Sequence, residues 1–333
     1  MARLRTVSPA SRGWTRRKAG RGFVYLDADG TRLPEEEVAR IRSLAIPPAW
    51  ANVWISPHAN GHIQAVGTDV AGRRQYLYHP DWRIKRDALK FDRVIGAASR
   101  LPAARKRVLL DLALEGMPRG RAAAVAVRLL DLGYFRIGSD AYTEDNGSFG
   151  LTTLERQHVS RKGDVIVFSF VGKSGVSHSI EIDDAAALVA LDRLRKRRHA
   201  SKRLLAYQEL KRWSDLDAAA VNAYLGELLG GEMTAKDFRT WHATVLAAVA
   251  LRASDEPGDT KASRKRAIKA AVEEVASYLG NTPTIAKNSY IDPRVLDSYE
   301  SGTVIAVDPS RFRSPERRQA AIEKAVLALL SQT

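Results

Sequence analysis

Residues 164–183, DVIVFSFVGKSGVSHSIEID, decide how the larger part of this 333-residue chain folds. Two runs of β-branched and aromatic residues flank the turn residues Gly-Lys-Ser-Gly at 172–175, and this pattern predicts a β-hairpin. On both sides of it, apolar residues recur three and four positions apart, which is typical of amphipathic helices. The stretches with this helical period are 83–100, 103–116, 121–132, 184–198, 200–213, 216–230, 235–254, 261–279 and 314–331. We therefore predict a mainly helical domain over residues 91–333 with a small inserted antiparallel sheet.

Residues 22–90 follow a different pattern. Short apolar runs alternate with turn residues, Asn60-Gly61 is a strong hairpin signal, and residues 34–44 predict a short helix. The runs that predict strands are 23–26, 53–55, 63–66 and 75–78. Residues 1–21 carry seven Arg and Lys and no acid, which predicts a flexible basic arm. The predicted fold class is therefore α+β, with a small β-rich N-terminal domain and a larger, mainly helical domain.

The charge balance indicates the class of partner. Lys and Arg total 53 against 38 Asp and Glu, so the net charge is +15. Such an excess favours a polyanion, nucleic acid before an anionic membrane surface. The longest apolar stretch, 245–251, is far short of the ~20 residues that span a bilayer, and the basic N-terminus lacks the apolar segment of a signal peptide. We expect a cytoplasmic protein that binds nucleic acid and no membrane.

Missing motifs narrow the chemistry further. The chain has no cysteine, which excludes disulfides, thiolate nucleophiles, zinc fingers and iron–sulfur clusters. It also has no G-x-x-x-x-G-K-[ST] phosphate loop, no G-x-S-x-G elbow and no H-E-x-x-H helix. Asp183-Asp184, the one adjacent aspartate pair, is typical of a helix N-cap. We expect no cofactor and no metal ion.

Four side chains with useful chemistry lie beside predicted helix ends or turns. Arg136 follows a glycine that would end a helix, and Lys173 lies on the hairpin turn. Arg239 is near the start of a helix that Thr234 can cap, and Tyr290 follows a Thr-Pro helix start. Taken singly, each has an ordinary alternative: a surface ion pair for an arginine, a solvated lysine, a packed tyrosine.

In this order, however, the four residues and their surroundings resemble the type IB DNA topoisomerases, especially the compact poxvirus-like and bacterial members. The strings that carry the resemblance are FRIGSDAY (135–142) with GLTTL (150–154), FVGKSGVSH (170–178), TAKDFRTW (234–241) and AKNSYIDPR (286–294). The likeness extends from about residue 22 to 310. The related tyrosine recombinases usually carry His-x-x-Arg where this chain has Lys236-x-x-Arg239, which favours a topoisomerase.

The resemblance implies an enzyme, an isomerase that relaxes supercoiled duplex DNA. Tyr290 would attack a phosphodiester to give a 3′-phosphotyrosyl link, and the free 5′ end would rotate before religation, without ATP or metal. Arg136 and Arg239 suit the non-bridging oxygens, because a guanidinium group is planar, always charged and bidentate toward phosphate. Lys173 would be the general acid that protonates the leaving 5′-oxygen.

One position departs from the better-known members of this family. Nine residues before the nucleophile they carry a histidine that contacts a non-bridging oxygen, and this chain has Asn281 there. An amide donates a hydrogen bond but supplies no charge and no titratable proton. We expect Asn281 to take the histidine's place. His242, three residues after Arg239, is an alternative substitute, although a helix histidine packed in the core fits the same pattern.

The resemblance also implies DNA contacts outside the catalytic group. Segment 73–78, RRQYLY, resembles the family's groove-reading segment, in which Gln pairs with adenine and tyrosines contact sugar, phosphate or thymine methyl. The residues carried over there are Arg73, Gln75, Tyr76 and Tyr78. Strand alternation puts Tyr76 and Tyr78 on one face, so both lie in the core or both face DNA. Tyr142 and Lys236 are carried over as contacts to the DNA backbone and to a base or phosphate near the cut.

Taken together, the sequence predicts a two-domain α+β monomer that closes as a clamp around duplex DNA, at the nucleoid of a bacterial cytoplasm. A tyrosine recombinase or integrase is the second candidate, and it would need a self-association surface for synapsis. A non-catalytic basic DNA-binding protein would explain the +15 charge but not the ordered Arg, Lys, Arg and Tyr.

Overall fold

A computed structural model describes residues 3–133, 135–140, 143, 147–231, 233–254 and 260–332. The chain divides into two compact units, Met1–Lys90 and Phe91–Thr333. Within the described ranges, no helix has both the length and the apolar character needed to cross a membrane.

The first unit is built on a five-stranded antiparallel sheet with the strand order β2-β1-β3-β4-β5. Its elements are β1 (Trp14–Ala19), β2 (Gly22–Leu26), α1 (Glu35–Ser43), β3 (Ala51–Ile55), β4 (Ile63–Thr68) and β5 (Arg74–Tyr78). Ile41 of α1 joins Val53, Ile55 and Ala65 in a small core. The helix therefore packs on the face of the sheet that carries Val53, Ile55 and Ala65.

The prediction of a flexible basic arm over residues 1–21 is wrong for residues 14–19, which form the paired strand β1. β1 pairs with β2 along most of its length and with β3 at its start. Trp14 packs against the core, and the Arg16 guanidinium donates to the carbonyl oxygens of Pro47 and Trp50 at 2.6 and 2.8 Å. The high density of basic residues suggested a solvated segment. An arginine can nevertheless pack its aliphatic part against the fold where its guanidinium group finds hydrogen-bond acceptors.

The second unit is mainly helical and carries a three-stranded and a two-stranded antiparallel sheet. The long helix α2 (Pro80–Ala98) leads into it. The remaining elements are α3 (Leu101–Leu112), α4 (Arg119–Gly133), β6 (Val159–Lys162), β7 (Val165–Val171), β8 (Ser177–Ile182), α5 (Ala185–Lys196), β9 (Ala206–Glu209), β10 (Arg212–Asp215), α6 (Ala218–Leu229), α7 (Ala235–Arg252), α8 (Lys261–Leu279), α9 (Pro283–Ser289), α10 (Pro293–Glu300) and α11 (Pro315–Leu330). The α+β fold class predicted from the sequence is confirmed.

The predicted hairpin is confirmed as β7 and β8, with Phe168 opposite Ile180. Its turn has Ser174 at φ 64° and Gly175 at φ 75°, the left-handed conformations that a tight antiparallel turn requires. The periodicity did not indicate the third strand, β6, which pairs with the other edge of β7. The insertion is therefore a small three-stranded sheet, and residues 172–176 form the turn that carries Lys173.

The helix predicted over residues 200–213 is wrong, because that stretch forms the β9–β10 hairpin. Each strand has four residues, too few for a period of two to be told from a period of 3.6. Leu204 and Leu205 are both fully buried, which imitates the continuous apolar run of a core helix. The turn residues Leu210 and Lys211 adopt positive φ values without the glycine that would have indicated a turn.

Helices α3, α4 and α11 are joined in the core of the second unit by buried charges. Arg105 donates to both carboxylate oxygens of Asp131 at 2.7 and 2.8 Å and to both of Glu323 at 2.6 and 2.8 Å. The Trp241 indole on α7 donates to the same Glu323 at 3.3 Å. In this cluster every charge faces an opposite charge, which is the arrangement expected of a structural ion network.

Candidate active site

Arg136 lies in the loop that follows α4, and residues 150–154 hold it in place. The Leu151 backbone N–H donates to the Arg136 carbonyl at 2.8 Å. Gly138 has φ 95° and lies so close to Gly150 that a Cβ on the latter would be 2.5 Å from the Gly138 Cα. Residues 136–138 and 150–152 therefore pack directly on each other, and this contact fixes the backbone that carries the Arg136 side chain.

Asn281 follows α8, which ends at Gly280 in the left-handed conformation, with φ 60°. Arg136 Nη2 donates to Asn281 Oδ1 at 2.7 Å, so two residues 145 apart in the sequence meet here. The Asn281 Nδ2 atom is buried and has no hydrogen-bond partner among the described residues. A buried donor left unsatisfied costs about 1–3 kcal/mol, and such groups are characteristic of catalytic and ligand-binding places.

Arg239 lies in the first turns of α7, which begins with a capping box. The Thr234 hydroxyl and backbone N–H both donate to Asp237 Oδ2, at 2.8 and 2.9 Å. Arg239 is buried, with 4% of its surface exposed, and its Nη2 donates to the Leu279 carbonyl at 2.6 Å. Burial and the nearby Arg136 charge lower the pKa of Arg239 to about 10. The guanidinium therefore stays charged at neutral pH in a place with little water.

Tyr290 ends α9 and lies against Arg239. The Arg239 guanidinium carbon is 5.5 Å from the centre of the Tyr290 ring, and a side-chain hydrogen bond joins the two residues. Burial would raise the pKa of the Tyr290 hydroxyl, but the charges of Arg239 and Arg136 and this hydrogen bond outweigh it and lower the pKa. The environment of Tyr290 therefore favours a phenolate, the form of tyrosine that acts as a nucleophile.

Lys173 lies on the turn between β7 and β8. It lines an open cleft of about 170 Å³ together with Arg136, Gly138, Ser139, Ser148, Phe149 and Gly150. Lys173 on the turn and Arg136 in the loop after α4 therefore line the same cleft. The structure thus brings Arg136 into contact with Asn281 and Arg239 into contact with Tyr290. The Arg136 charge acts on both Arg239 and Tyr290, and Lys173 lines a cleft with Arg136.

His178 is a further residue at this site, and the sequence analysis gave it no role. Its ring stacks on Phe170, with ring centres 5.1 Å apart. Burial lowers the pKa of His178, and the charges of Arg136 and Arg239 lower it further. The signal in the sequence was the pair of glycines that directly precede the proposed catalytic residues Lys173 and Asn281.

The other residues of this unit that the sequence singled out lie in different surroundings. Lys236 is exposed in the first turn of α7, and its charge contributes to the lowered pKa of Tyr290. His242 is buried, its Nε2 is 3.7 Å from Asp131 Oδ1, and burial lowers its pKa to about 4. This location favours the core histidine over a substitute for the missing catalytic histidine. Tyr142 lies outside the described residues.

In the first unit, Tyr76 and Tyr78 are 39% and 40% exposed, so the alternative that they lie in the core is wrong. Their rings stack with centres 5.9 Å apart. Asp69, which the sequence analysis did not notice, accepts hydrogen bonds from Arg73 Nε and Gln75 Nε2, both at 2.9 Å. The Asp69 carboxylate therefore orients the predicted groove-reading amide before any DNA is present.

Across the ranges that the structure describes, no three His, Asp or Glu side chains are grouped so that they could hold a metal ion.

Comparison with known proteins places this site in a family. Residues 79–303 match the family model described as eukaryotic DNA topoisomerase I, catalytic core, and residues 22–69 match bacterial DNA topoisomerase IB, N-terminal domain. DNA topoisomerase 1B of Acanthamoeba polyphaga mimivirus is 30% identical over 298 residues, which are 87% of this chain and 88% of the viral protein. DNA topoisomerase 1B of Vaccinia virus (strain Copenhagen) is 26% identical over 245 residues, 70% and 71% of the two chains. The chain therefore belongs to the type IB DNA topoisomerases.

Proposed function

We propose that this topoisomerase relaxes supercoiled duplex DNA by cutting one strand transiently, with Tyr290 as the nucleophile and a 3′-phosphotyrosyl intermediate. One observation carries the proposal. Tyr290 is buried, yet the charges of Arg239 and Arg136 lower the pKa of its hydroxyl. A buried tyrosine in an ordinary core has its pKa raised, so a lowered one beside two arginines is characteristic of a nucleophile.

The two arginines have a second task in this mechanism. As the phenolate oxygen bonds to phosphorus, negative charge grows on the two non-bridging oxygens of the phosphate. Arg136 and Arg239 supply fixed positive charges that stabilise this state more than the ground state. They are held before DNA arrives, Arg136 by Asn281 and Arg239 by the Leu279 carbonyl, so little reorganisation is needed in the reaction.

The leaving group needs a proton. When the bond between phosphorus and the 5′-oxygen breaks, Lys173 gives its proton to that oxygen, and the phenol proton of Tyr290 is lost to solvent. Religation reverses both transfers. The position of Lys173 beside Arg136 at one cleft supports this assignment, and a turn residue can follow the moving end of the DNA more easily than a helix residue.

Asn281 completes the group as a hydrogen-bond donor. Its Oδ1 is engaged by Arg136, so the amide cannot rotate freely, and its Nδ2 faces outward from that contact. We infer that Nδ2 donates to a non-bridging oxygen, where the better-known members use a histidine. This gives the buried, unsatisfied donor its acceptor.

Cleavage and religation balance without an energy source. The tyrosyl phosphodiester keeps the free energy of the DNA bond, so neither ATP nor a metal ion takes part. Relaxation requires a single cut, so a monomer suffices, acting at the nucleoid in the cytoplasm. The first unit would hold the duplex through Arg73, Gln75, Tyr76 and Tyr78, and Lys236 and Tyr142 would contact DNA near the cut.

The test is relaxation of supercoiled plasmid in EDTA without ATP. We expect a ladder of relaxed topoisomers with the wild-type chain, and unchanged plasmid with Tyr290→Phe, which lacks only the attacking oxygen and should still bind duplex DNA. Relaxation of the plasmid by Tyr290→Phe would refute the assignment of Tyr290 as the nucleophile. Joined plasmid molecules would indicate a recombinase, and unchanged plasmid with the wild-type chain would indicate a DNA-binding protein.

A further inference from the structure

Two glycines at the site are in contact with one imidazole ring. A Cβ added to Gly172 would be 2.6 Å from Cδ2 and 2.7 Å from Nε2 of His178. A Cβ added to Gly280 would be 3.0 Å from Cε1 of the same ring. Both distances are shorter than real Cβ atoms normally approach a ring, so His178 fills the space that side chains at these two positions would take.

These glycines are the immediate neighbours of two proposed catalytic residues. Gly172 precedes Lys173 on the hairpin turn, and Gly280 precedes Asn281 in the turn after α8. The turn itself is closed by a hydrogen bond from the Gly172 N–H to the Val176 carbonyl at 2.7 Å. The imidazole is therefore the spacer between the backbone that carries the proposed general acid and the backbone that carries the amide donor.

The imidazole also belongs to a column of rings that reaches the third segment of the site. His178 stacks on Phe170 with an interplanar angle of 24°, and Phe170 stacks on Phe135 with ring centres 6.1 Å apart and an angle of 17°. Phe135 directly precedes Arg136. Contacts of these three rings therefore link the segments that carry Arg136, Lys173 and Asn281. None of the three rings belongs to a proposed catalytic residue.

We propose that His178 is a positioning residue, which sets the distance between Lys173 and the Arg136–Asn281 pair by packing against Gly172 and Gly280. Burial and the two arginines hold the imidazole neutral, so it adds no competing charge beside them. The proposal rests on the function proposed above, because the distance matters only if Lys173 gives a proton to the 5′-oxygen.

The first test is His178→Ala, measured as the rate of covalent adduct formation on a duplex with a single cleavage site. A displacement of about 1 Å can slow a reaction about 100-fold, and we expect a loss of that order. DNA affinity, measured with both chains in the Tyr290→Phe background, should not change. A duplex with sulfur in place of the bridging 5′-oxygen needs no proton, so it should recover most of the lost rate.

His178→Phe separates packing from hydrogen bonding. The phenyl ring fills the same space without a nitrogen, so it should restore most of the rate that the alanine variant loses. A phenylalanine variant as slow as the alanine variant would overturn the proposal, because the imidazole would then act through its N–H. An alanine variant as fast as wild type, or one that sulfur does not rescue, would overturn it as well.

A double-mutant cycle keeps the test valid if His178→Ala loses stability. Gly172 has φ −96°, which alanine adopts readily. The added Cβ of Gly172→Ala is too close only to the His178 ring, because the Val176 carbonyl oxygen lies at an ordinary contact distance of 3.6 Å. Gly172→Ala should slow cleavage in the wild-type chain and have little further effect in His178→Ala, where the space is open. If the rate losses of Gly172→Ala and His178→Ala multiply in the double variant, the contact between Gly172 and the His178 ring is contradicted.

Failure of this inference and failure of the proposed function give different results. Wild type and Tyr290→Phe are assayed beside every variant. If wild type forms no adduct, or Tyr290→Phe forms one, the proposed function fails whatever His178 does. If only the His178 variants deviate from expectation, the mechanism stands and the positioning role is refuted.

Discussion

Two groups of arginines in the second unit, Arg105 on one hand and Arg136 with Arg239 on the other, have opposite surroundings. Arg105 faces the carboxylates of Asp131 and Glu323. Burial tends to lower the pKa of Arg105, but the hydrogen bonds to Glu323 and Asp131 outweigh it and raise the pKa. Arg239 donates instead to a neutral carbonyl, as Arg136 does to a neutral amide, and burial lowers the pKa of Arg239.

The difference shows how one residue type serves two purposes. A guanidinium that is paired with carboxylates has its charge balanced within the fold, so it attracts an anionic ligand only weakly. A guanidinium that donates to a neutral acceptor is oriented but keeps its charge, so it can attract an anion; in the proposed mechanism these anions are the Tyr290 phenolate and a phosphate. Neutral acceptors alone do not mark a functional arginine, because the buried Arg121 also donates to a neutral carbonyl, that of Gly116, and burial lowers its pKa as well. What distinguishes Arg239 is the Tyr290 hydroxyl hydrogen-bonded beside it.

The largest effect should come from the leaving group. Lys173→Ala should slow cleavage about 10²–10⁴-fold, the range for a positioned proton donor. A 5′-bridging sulfur should recover most of that loss, because sulfur leaves without a proton. Arg239→Ala is the matched control, since its charge faces non-bridging oxygens and sulfur should not rescue it. The measurement is single-turnover adduct formation on both duplexes, and equal rescue of the two variants would contradict the division of roles.

Asn281→Asp should turn the functional arginine pair into a structural one. The new carboxylate has the shape of the amide, but it would pair with Arg136 as Asp131 pairs with Arg105, and the donor Nδ2 would be lost. We expect cleavage to fall by at least about 100-fold, from the lost hydrogen bond to a charged group and the added repulsion of phosphate. The midpoint of thermal unfolding should stay the same or rise.

Asn281→Ala is the milder companion of that change. It removes the donor without adding a charge, and the hydrogen bond is worth about 1.5–3 kcal/mol, or roughly 10- to 150-fold in rate. DNA affinity should change little, as expected of a contact that strengthens in the transition state. An alanine variant that cleaves at the wild-type rate would reduce Asn281 to a turn residue after α8.

The smallest effect concerns His242, beside the carboxylates of the structural network. Burial lowers its pKa to about 4, although Asp131 and Glu323 act to raise it. Because this lies below the unfolded value of about 6.5, the unfolded chain binds the proton first as pH falls, and stability decreases from about pH 6.5 toward pH 4.

Denaturant unfolding at two pH values measures this effect. Between pH 7 and pH 5 the free energy of unfolding should drop by about 2 kcal/mol from this one group. In His242→Gln the contribution should vanish, so the two proteins should differ in their pH dependence. Parallel pH profiles for wild type and His242→Gln would mean that the histidine is not held neutral in the core.

Sequence reasoning reached the hairpin and the family because both depend on local patterns. The Gly-Lys-Ser-Gly run at 172–175 indicates a turn, and each sequence motif that carries the family resemblance is short and continuous. The contact of Arg136 with Asn281 follows no sequence period, since it depends on how α4 and α8 each pack against α7. The role proposed for His178 depends on the contacts of its ring with Gly172 and Gly280, which the sequence alone does not predict.

The errors have a common physical origin. Residues 14–19 were misjudged by charge, although Trp14 and the stem of Arg16 pack inward in alternate positions of β1. Residues 200–213 were misjudged by period, although they form two strands of four residues. In both places tertiary contacts decided between local preferences that the sequence left nearly balanced.

The central claim is that Arg239 serves the reaction and Arg105 serves the fold. Arg239→Ala and Arg105→Met, compared for adduct formation well below the melting temperature and for thermal unfolding, test it most directly. Arg239→Ala should slow adduct formation by about 10²–10³-fold and leave the unfolding midpoint unchanged or higher. Arg105→Met should keep adduct formation within about threefold while losing about 3–5 kcal/mol of stability, because two buried carboxylates lose their partner. If Arg105→Met slows adduct formation as much as Arg239→Ala, or if Arg239→Ala unfolds as readily as Arg105→Met, the distinction between the two arginine groups is contradicted.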